Sequence, residues 1–321
     1  MKKCCIIYNE PGETATADEL DVLDQVEHIA AHLAEMDINV SSRGITVNFM
    51  KEIEDLAKKK YDFVFNLVES INNKGELNYF IPALLNMYSI PYSGCPLEAI
   101  FTTSSKTLAG RMMRDAGIRN PSAFRPSQMA LLEKGRKYIL KPVWEDGSLG
   151  ITDDSVFELE QGESERLSGL DDAHWFVEDY IDGREFNISV LAGPNGPEVL
   201  PPAEIVFMNY GENRPRIVDF KAKWDADSFE YTNTVRQFPG NTISKKLESG
   251  LINAATGCWH LFGLKGYARV DMRTDKDENV FVIEVNANPC ISPDSGFVAA
   301  VREAGYLFTS ALERIINDLN I

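Results

Sequence analysis

The sequence predicts an α/β (α+β) protein in which a parallel sheet near the N-terminus is followed by antiparallel strands. A chain of 321 residues is too long for one small core and fits two or three compact domains. Strand and helix patterns alternate over residues 1–104, which favours a parallel sheet covered on both faces. Further along, Tyr267–Arg273 and Val280–Val285 flank a polar turn and predict an antiparallel hairpin.

Composition and charge exclude several classes of protein. The chain is 44% apolar and 25% charged, and it has no run of about 18 apolar residues, so we expect no membrane span. The net charge of −17 argues against a nucleic-acid partner, because phosphate backbones require clustered Lys and Arg. The first apolar run is too short for a signal peptide, and the five cysteines are scattered without a CxxC pair. We therefore expect a cytoplasmic protein.

Residues 1–104 form the first predicted domain. Lys3–Tyr8 has a strand pattern, and Thr16 with Glu19 forms a capping box at the start of a helix. That helix carries apolar residues at helical spacing, namely Val22, Val26, Ile29 and Leu33. A helix, a buried strand and another helix follow at Val47–Lys60, Asp62–Val68 and Leu77–Met87. The chain has neither GxGxxG nor GxxxxGK(S/T), which excludes a dinucleotide fingerprint and a Walker P-loop.

Residues 105–192 form the second predicted domain, which we interpret as a lid over phosphates. Leu108–Ala116 predicts a helix, and Lys137–Val143 predicts a strand that carries Lys141. The segment Glu145–Gly150 is a glycine-containing loop whose main-chain N–H groups can point at a ligand. Two more strands around an Asp-Gly turn complete an antiparallel unit, at Trp175–Ile181 and Glu185–Ala192.

Residues 193–321 form the third predicted domain, which contains the hairpin. Its other elements are a strand, a helix with breaks at two glycines (Gly250 and Gly257), and two C-terminal helices. These elements are Glu198–Phe207, Lys245–Phe262, Phe297–Ala304 and Leu307–Leu319.

The hairpin carries the strongest indication of chemistry. Alternation places Arg269 and Asp271 on one face of the first strand, and Glu284 and Asn286 on one face of the second. If the hairpin is symmetric about the bond between residues 277 and 278, Asp271 faces Glu284 and Arg269 faces Asn286. Facing carboxylates repel one another unless a cation lies between them, and all-oxygen ligands suit Mg²⁺. The alternative is the solvent-facing side of an ordinary hairpin, but the apolar residues at the other positions and the following Asn-Ala-Asn-Pro favour a metal site.

Taken in chain order, the motifs resemble those of the ATP-grasp ligases, and most closely those of the D-alanine–D-alanine ligase family. The resemblance covers essentially the whole chain. The segments that are similar to family motifs are Asp62–Leu67 with Gly75-Glu76, Ile90–Gly94, Lys106, Lys141-Pro142 with Gly150, Glu178, Glu185–Asn187, Phe220–Trp224, the four hairpin residues and Ser295.

The resemblance implies an ATP-grasp fold of three domains, with ATP and two Mg²⁺ ions (or Mn²⁺ in their place) held between the central and C-terminal domains. It also implies roles: nucleotide contacts by Lys106, Lys141, Gly147, Ser148, Gly150, Glu178, Glu185 and Lys223, metal ligation by Asp271, Glu284 and Asn286, and catalysis by Arg269 and Ser295. Asp179 is an alternative to Glu178, and Ser295 has the alternative role of capping the following helix. Amino-acid or peptide substrates and a homodimer are implied as well.

The reaction implied by the resemblance is the formation of an amide bond. The γ-phosphate of ATP passes to a substrate carboxylate and gives an acyl phosphate. An amine then attacks, and the tetrahedral intermediate collapses to an amide, ADP and phosphate. Such chemistry needs charge neutralisation and in-line positioning rather than covalent help from the protein.

The sequence departs from the family at the substrate end. Glu69-Ser70 stands where the family has His-Gly, and Cys290 stands where it has glycine. The phosphate loop has Gly147-Ser148 in place of Ser-Ser, and the N-terminal loop at residues 9–14 gives no assignment for the family's glutamate. We therefore expect a ligase that acts on substrates other than two D-alanines. The alternatives are a D-alanine–D-alanine ligase itself and a non-catalytic nucleotide-binding relative.

Overall fold

The computed structural model describes residues 1–144, 147–159, 163–212 and 214–320, with the backbone alone for residues 163–165. Its strands are β1 (Lys3–Asn9), β2 (Asn39–Ile45), β3 (Phe63–Leu67), β4 (Ala123–Phe124), β5 (Lys137–Pro142), β6 (Val156–Glu158), β7 (Trp175–Asp179), β8 (Glu185–Leu191), β9 (Glu198–Val199), β10 (Ala203–Phe207), β11 (Thr234–Gln237), β12 (Tyr267–Thr274) and β13 (Val280–Asn286). Its α-helices are α1 (Ala17–Glu35), α2 (Phe49–Lys59), α3 (Phe80–Met87), α4 (Leu97–Ser104), α5 (Lys106–Asp115), α6 (Glu163–Ser168), α7 (Phe220–Trp224), α8 (Phe229–Asn233), α9 (Lys245–Phe262), α10 (Gly296–Glu303) and α11 (Phe308–Ile316).

The N-terminal segment folds as the alternating pattern predicts. β1 pairs in parallel with β2 on one side and β3 on the other, which gives the order β2–β1–β3. α1 begins at the predicted capping box, where the Thr16 N–H donates to the Glu19 carboxylate at 2.9 Å. The apolar stripe of α1 packs on β1 and β3 and on α10 and α11 in one core. The N-terminal and C-terminal parts of the chain therefore share a hydrophobic core.

β2 is a strand that the sequence pattern did not predict. Its sequence is Asn-Val-Ser-Ser-Arg-Gly-Ile, and Ile45 alone within it is buried. An edge strand whose side chains are exposed or only partly buried, apart from one, needs no apolar alternation, so periodicity gives no signal for it. Main-chain pairing with β1, from Lys3 opposite Asn39 to Asn9 opposite Ile45, defines the strand instead.

β7 and β8, which the sequence predicts as one antiparallel unit, belong to different sheets. β7 lies in the order β4–β7–β5–β6, whereas β8 lies in the order β11–β10–β8–β12–β13, with β9 paired to β8. The chain crosses between these two sheets at residues 180–184. The predicted border at residue 192 follows β8, so we propose that the C-terminal domain begins at residues 182–184.

The C-terminal sheet has one apolar face and one polar face. Even-numbered residues of β8 and β12, such as Ile188 and Val270, are fully buried in the core that α9 closes. The odd-numbered residues alternate to the opposite side, so Glu185, Arg269 and Asp271 line a cleft. Packing of the apolar face on α9 thus determines where the polar side chains point.

The hairpin of β12 and β13 has the predicted register at its polar end. Arg269 lies opposite Asn286, and Asp271 lies opposite Glu284. The prediction from alternation and symmetry is therefore confirmed for these four residues.

Beyond Asp271 the register of the hairpin shifts by one residue, and Met272 faces Val282. Ile283 is the extra residue of this β-bulge. Strict alternation would place Val282 and Val285 on opposite faces, yet they are 1% and 4% exposed in the same core. The bulge allows both valines to be buried while Glu284 keeps its position in the cleft.

Two predicted elements differ from the observed ones. α9 runs without a break, because Gly250 and Gly257 permit close packing rather than end the helix: an added Cβ would lie 3.0 Å from Val280 and 3.2 Å from Ile118 respectively. The strand predicted over residues 198–207 is divided into β9 and β10 at Pro201-Pro202, since proline cannot donate a ladder hydrogen bond. Across the part of the chain that the structure describes, no helix combines the length and apolarity needed to cross a bilayer.

Gly183 lies at the crossing between the two sheets and provides a test of this packing. An added Cβ would lie 1.8 Å from the main-chain oxygen of Thr274, so the backbone would have to move. We expect Gly183→Ala to lower the free energy of unfolding by about 1–3 kcal/mol. Urea unfolding followed by circular dichroism measures the change.

Gly169→Ala is the matched control, because a Cβ there would meet no atom within 4 Å. Its effect should stay within about 0.5 kcal/mol. Equal effects of the two substitutions would contradict the close approach at Gly183.

Candidate active site

A cleft of about 840 Å³ lies where the three sheets meet. Its walls come from the N-terminal loop and α1, from β5 and β7 of the central sheet, and from the polar face of the C-terminal sheet. The predicted site residues that line it are Lys141, Gly147, Ser148, Glu178, Glu185, Lys223, Arg269, Asp271, Glu284, Asn286 and Ser295. The two other predicted residues are next to the lining rather than part of it. Lys106 forms an ion pair with the lining residue Glu284, and Gly150 lies beside Trp175 and Pro142.

At the centre of the cleft, each of the two facing carboxylates has a cationic partner. Arg269 donates from Nε and Nη2 to the two Asp271 oxygens, both at 2.7 Å. Lys106, at the start of α5, places Nζ 3.0 Å from Glu284 Oε1. Burial lowers the pKa of Arg269, but Asp271 more than offsets it, so the net shift is upward and the guanidinium stays charged.

The donor set at this position fits a hard divalent cation. Asp271 and Glu284 are direct neighbours across the hairpin, and Asn286 adds an amide oxygen two residues further along β13. Asn286 Oδ1 also accepts a hydrogen bond from the Asn288 N–H at 2.9 Å, which fixes the orientation of the amide. Carboxylate and amide oxygens are the ligands that Mg²⁺ prefers.

Lys141 and Glu178 face the cleft from the central sheet. β5 pairs with β7 so that Ile139 lies opposite Glu178, and Lys141 is two residues further along on the same face. The Lys141 Nζ donates to Glu178 Oε1 at 2.5 Å. Asp179, the alternative to Glu178, pairs instead with Arg136 at 2.6 Å.

The glycine loop after β5 bends through left-handed backbone conformations. Gly147, Ser148 and Gly150 have φ values of +68°, +67° and +77°. Ser148 is the unusual member, since a side chain disfavours this conformation. Its hydroxyl donates to the main-chain oxygen of Val218 at 2.6 Å, which connects the loop to the segment before α7. Residues 145 and 146 of the predicted loop lie outside the described residues.

Glu185 and Lys223 occupy the wall between the central and C-terminal sheets. Glu185 forms an ion pair with Arg273, with an Oε2–Nη1 distance of 3.3 Å, and burial raises the pKa of its carboxyl. Lys223 belongs to α7, which Asp219 caps by accepting from the Ala222 N–H at 2.9 Å. Burial and then the nearby Arg269 lower the pKa of Lys223, so an anion beside it would be favourable.

Ser295 caps α10, as the alternative interpretation of this residue states. Its hydroxyl accepts from the Val298 N–H at 3.2 Å, and the residue also lines the cleft. Cys290, five residues earlier, donates from Sγ to Asp21 Oδ2 at 3.1 Å. Burial and then Asp21 raise the pKa of this thiol, which agrees with a packing role rather than a nucleophilic one.

Sequence reasoning also missed several residues that line the cleft, among them Asp18, Gln25, Arg236 and Arg273. Arg273 follows Arg269 and Asp271 at the same parity on β12, so alternation could have found it. Gln25 accepts from the Ile291 N–H at 3.2 Å and is a polar residue within the apolar stripe of α1, which was a second usable signal. Asp18 and Arg236 carry no comparable signal in the sequence.

Comparison with known proteins gives matches along most of the chain. The sequence profile described as "D-ala D-ala ligase C-terminus" matches residues 130–317. An uncharacterized protein of Sinorhizobium fredii is 31% identical over 264 residues, which cover 79% of this chain and 73% of that protein. The D-alanine–D-alanine ligase of Actinobacillus succinogenes is 26% identical over 274 residues, covering 82% of each chain.

The fold has close counterparts among solved structures. The crystal structure of the D-alanine–D-alanine ligase of Bacillus anthracis superposes with a TM-score of 0.76 at 21% identity, covering 99% of this chain and 97% of that one. Its complex with ATP superposes with a TM-score of 0.73 at 20% identity, with the same coverage. The three-sheet architecture is therefore the ATP-grasp fold. The profile match spans more than half of the chain and shows that the chain belongs to the D-alanine–D-alanine ligase family, a family of ATP-dependent carboxylate–amine ligases.

Proposed function

We propose that the protein joins the carboxyl group of one amino acid or short peptide to the amino group of another, through an acyl phosphate formed from ATP. The observation that supports this most directly is the central group of Arg269, Asp271, Glu284 and Lys106 in a cleft bounded by all three sheets. In the reaction, the bond between the γ-phosphorus and its bridging oxygen breaks, and a carbon–nitrogen bond forms with release of ADP and phosphate. The transferred phosphate leaves when the amine displaces it.

In this reaction the cationic residues of the cleft would bind phosphate and stabilise negative charge, and the carboxylates would bind Mg²⁺. Lys141 and Lys223, from opposite walls, would hold the phosphates, and the loop at residues 147–150 would cover them and exclude water. Arg269 would stabilise the negative charge that develops on the transferring group and later on the tetrahedral oxygen. Mg²⁺, of which we propose two ions held by Asp271, Glu284 and Asn286, would neutralise the phosphate oxygens.

The residues at the end of the cleft near Cys290 and α1 favour the proposal that the substrates are not two D-alanines. Cys290 fills space where glycine would leave the backbone open, and its thiol is held by Asp21 of α1. The N-terminal part of the chain makes this end of the cleft acidic, because Asp18 and Glu69 also line it. Asp18 Oδ1 has no hydrogen-bond partner among the described residues, and a carboxylate in this position suits a substrate ammonium group.

The test of the proposed function is phosphate release from ATP and Mg²⁺ with amino acids and dipeptides, supplied singly and in pairs. We expect release with a pair other than two D-alanines, and a new amide product by mass spectrometry. Release that needs D-alanine alone and yields its dipeptide would show the D-alanine–D-alanine ligase instead. ATP binding without release for any pair would favour the non-catalytic alternative.

Glu284→Gln tests the role of the facing carboxylates. The substitution keeps the shape of the side chain but removes its charge, so metal ligation and the contact with Lys106 are both weakened. We expect kcat to fall by roughly a hundredfold to a thousandfold, and thermal stability to fall as well because the largely buried side chain of Lys106 loses the Glu284 charge.

Glu278→Gln is a matched control on the hairpin turn, just before β13 and away from the cleft, where the carboxylate accepts a hydrogen bond from the Ser244 hydroxyl at 2.7 Å. It should keep near-wild-type kcat. A Glu284→Gln enzyme with full activity would remove the hairpin carboxylates from the mechanism.

Cys290→Gly tests the substrate end separately from the nucleotide end. Removing the side chain opens space next to Asp21, so we expect the ratio of kcat/KM for larger over smaller substrates to rise about tenfold. The KM for ATP should not change. Cys290→Ser, which keeps a donor to Asp21, should retain the wild-type preference, and an unchanged profile in the glycine variant would show that Cys290 does not select the substrate.

We also propose, on the resemblance alone, that the protein is a homodimer. Light scattering on the eluting peak of a sizing column should then give about twice the chain mass of 35.9 kDa. A mass equal to that of one chain would contradict the proposal.

A further inference from the structure

Arg273 is a cleft residue to which the proposed reaction assigns no role. It lies on β12 directly opposite Glu185 of β8, and its side chain is buried. Nη1 donates to the main-chain oxygen of Arg216 at 2.6 Å, and Nη2 donates to that of Gly183 at 3.1 Å. The guanidinium also lies over the Tyr180 ring, 5.0 Å from its centroid. The crossing between the two sheets and the segment before α7 thus fix the position of this side chain.

The fixed guanidinium in turn determines the position of the Glu185 carboxylate. Arg273 Nη1 lies 3.3 Å from Glu185 Oε2, whereas Oε1 accepts no hydrogen bond from the residues that the structure describes. The side chain of Glu185 is more than nine-tenths buried and lines the cleft. A buried carboxylate oxygen that the chain leaves without a donor is suited to a ligand that donates hydrogen bonds.

A purely structural role for this ion pair explains less of the arrangement. Main-chain oxygens are uncharged, and a neutral donor could bond them without the cost of burying a guanidinium. Removing two charges from water offsets most of their mutual attraction, so a buried pair adds little net stability. The charge of Arg273 is instead suited to holding a carboxylate in one place while that carboxylate binds a ligand.

The position along β12 indicates which part of the nucleotide would reach Glu185. Arg269, Asp271 and Arg273 follow one another at every second residue on one face, so roughly 7 Å separates each from the next. The transferring phosphate would lie at Arg269 and the metal ions at Asp271, and the sugar of an extended nucleotide then lies one step further on. Burial raises the pKa of the Glu185 carboxyl, whereas Arg273 and, less strongly, the two lysines that would hold the phosphates oppose this shift. Those lysines are therefore near Glu185, as a sugar next to the phosphates requires.

We propose that Arg273 is a positioning residue, which holds Glu185 so that the carboxylate accepts hydrogen bonds from the sugar hydroxyls of ATP. The proposal rests on the proposed function and names what selects the nucleotide in the same cleft. A ribonucleotide, which has both hydroxyls, would bind better than a deoxyribonucleotide, because a charged acceptor strengthens each hydrogen bond. Arg273 acts through Glu185 and need not touch the nucleotide itself.

The experiment compares ATP with 2′-deoxy-ATP and 3′-deoxy-ATP, each of which lacks one sugar hydroxyl. Steady-state phosphate release is measured with a saturating active pair of amino acids. The proteins are wild type, Arg273→Met, Arg273→Lys and Glu185→Gln, together with a control variant. Thermal unfolding of each protein measures the contribution to stability separately.

Arg314→Met is the matched control, because Arg314 makes the same kinds of contact outside the cleft lining. It donates to two main-chain oxygens at 2.6 and 3.4 Å, pairs with Glu198 at 2.7 Å and lies over the Tyr306 ring. Its loss should lower the melting temperature, as that of Arg273 should, but it should leave the preference for ATP over both analogues unchanged.

Wild type should prefer ATP to the less active analogue by roughly tenfold in kcat/KM, which corresponds to one hydrogen bond to a charged acceptor. We expect Arg273→Met to raise the KM for ATP roughly tenfold and to change kcat less than about threefold, because the reacting groups remain. The preference should shrink to about twofold or less in Arg273→Met and Glu185→Gln, and Arg273→Lys should keep part of it.

Two results would overturn the proposal, namely wild type without the preference and Arg273→Met with the full wild-type preference. If Arg273→Met does not fold, Glu185→Gln takes its place, and a full preference in that variant would overturn the proposal equally.

Calorimetric titration separates failure of this proposal from failure of the proposed function. If wild type turns over no pair, the proposed function fails, and ATP and the two analogues are titrated with Mg²⁺ in the absence of amino acids. Tighter binding of ATP than of an analogue, lost in Arg273→Met and kept in Arg314→Met, would support the role of Arg273. Absence of ATP binding, equal binding of the three nucleotides by wild type, or an unchanged preference in Arg273→Met would overturn it.

Discussion

The arrangement of the cleft depends on two carboxylates, Asp271 and Glu284, that face each other across a pair of antiparallel strands. Two such groups would separate if the chain did not supply positive charge to both. Arg269 provides it from the same strand through two hydrogen bonds, and Lys106 provides it from α5. The chain itself therefore supplies one positive charge to each of the two carboxylates.

The same balance connects parts of the chain that are distant in sequence. Lys106 begins the helix that precedes the central sheet, yet it forms an ion pair with Glu284 of the C-terminal hairpin. Ser148 in the glycine loop is bonded to Val218 next to α7. α1, in turn, contacts the loop after β13 through Gln25 and Asp21. Side-chain contacts thus connect the segments that form the different walls of the cleft. Such contacts fix the charged groups in advance, which catalysis by charge stabilisation needs.

Much of this site could be predicted from the sequence because it lies on regular strands. A period of two fixes which side chains share a face, and the assumption of a hairpin symmetric about the bond between residues 277 and 278 placed Asp271 opposite Glu284. The assignment of β7 and β8 to different sheets could not be predicted, because local patterns do not state which strand a neighbour pairs with. Arg236 was missed for a similar reason: a single arginine on an exposed edge strand has no periodic signal, and only the tertiary fold brings it to Asp294.

The bulge at Ile283 separates the hairpin into two halves with different registers. Both halves are aligned from outside the hairpin, because β12 pairs with β8 from Tyr267 to Arg273 and the valines on each side of the bulge pack in the core that α9 closes. The position of Asp271 relative to Glu284 is therefore set by the neighbouring strand and helix as well as by the turn that joins the two strands. The reactive groups thus inherit their alignment from the body of the sheet, which is the most rigid part of the cleft.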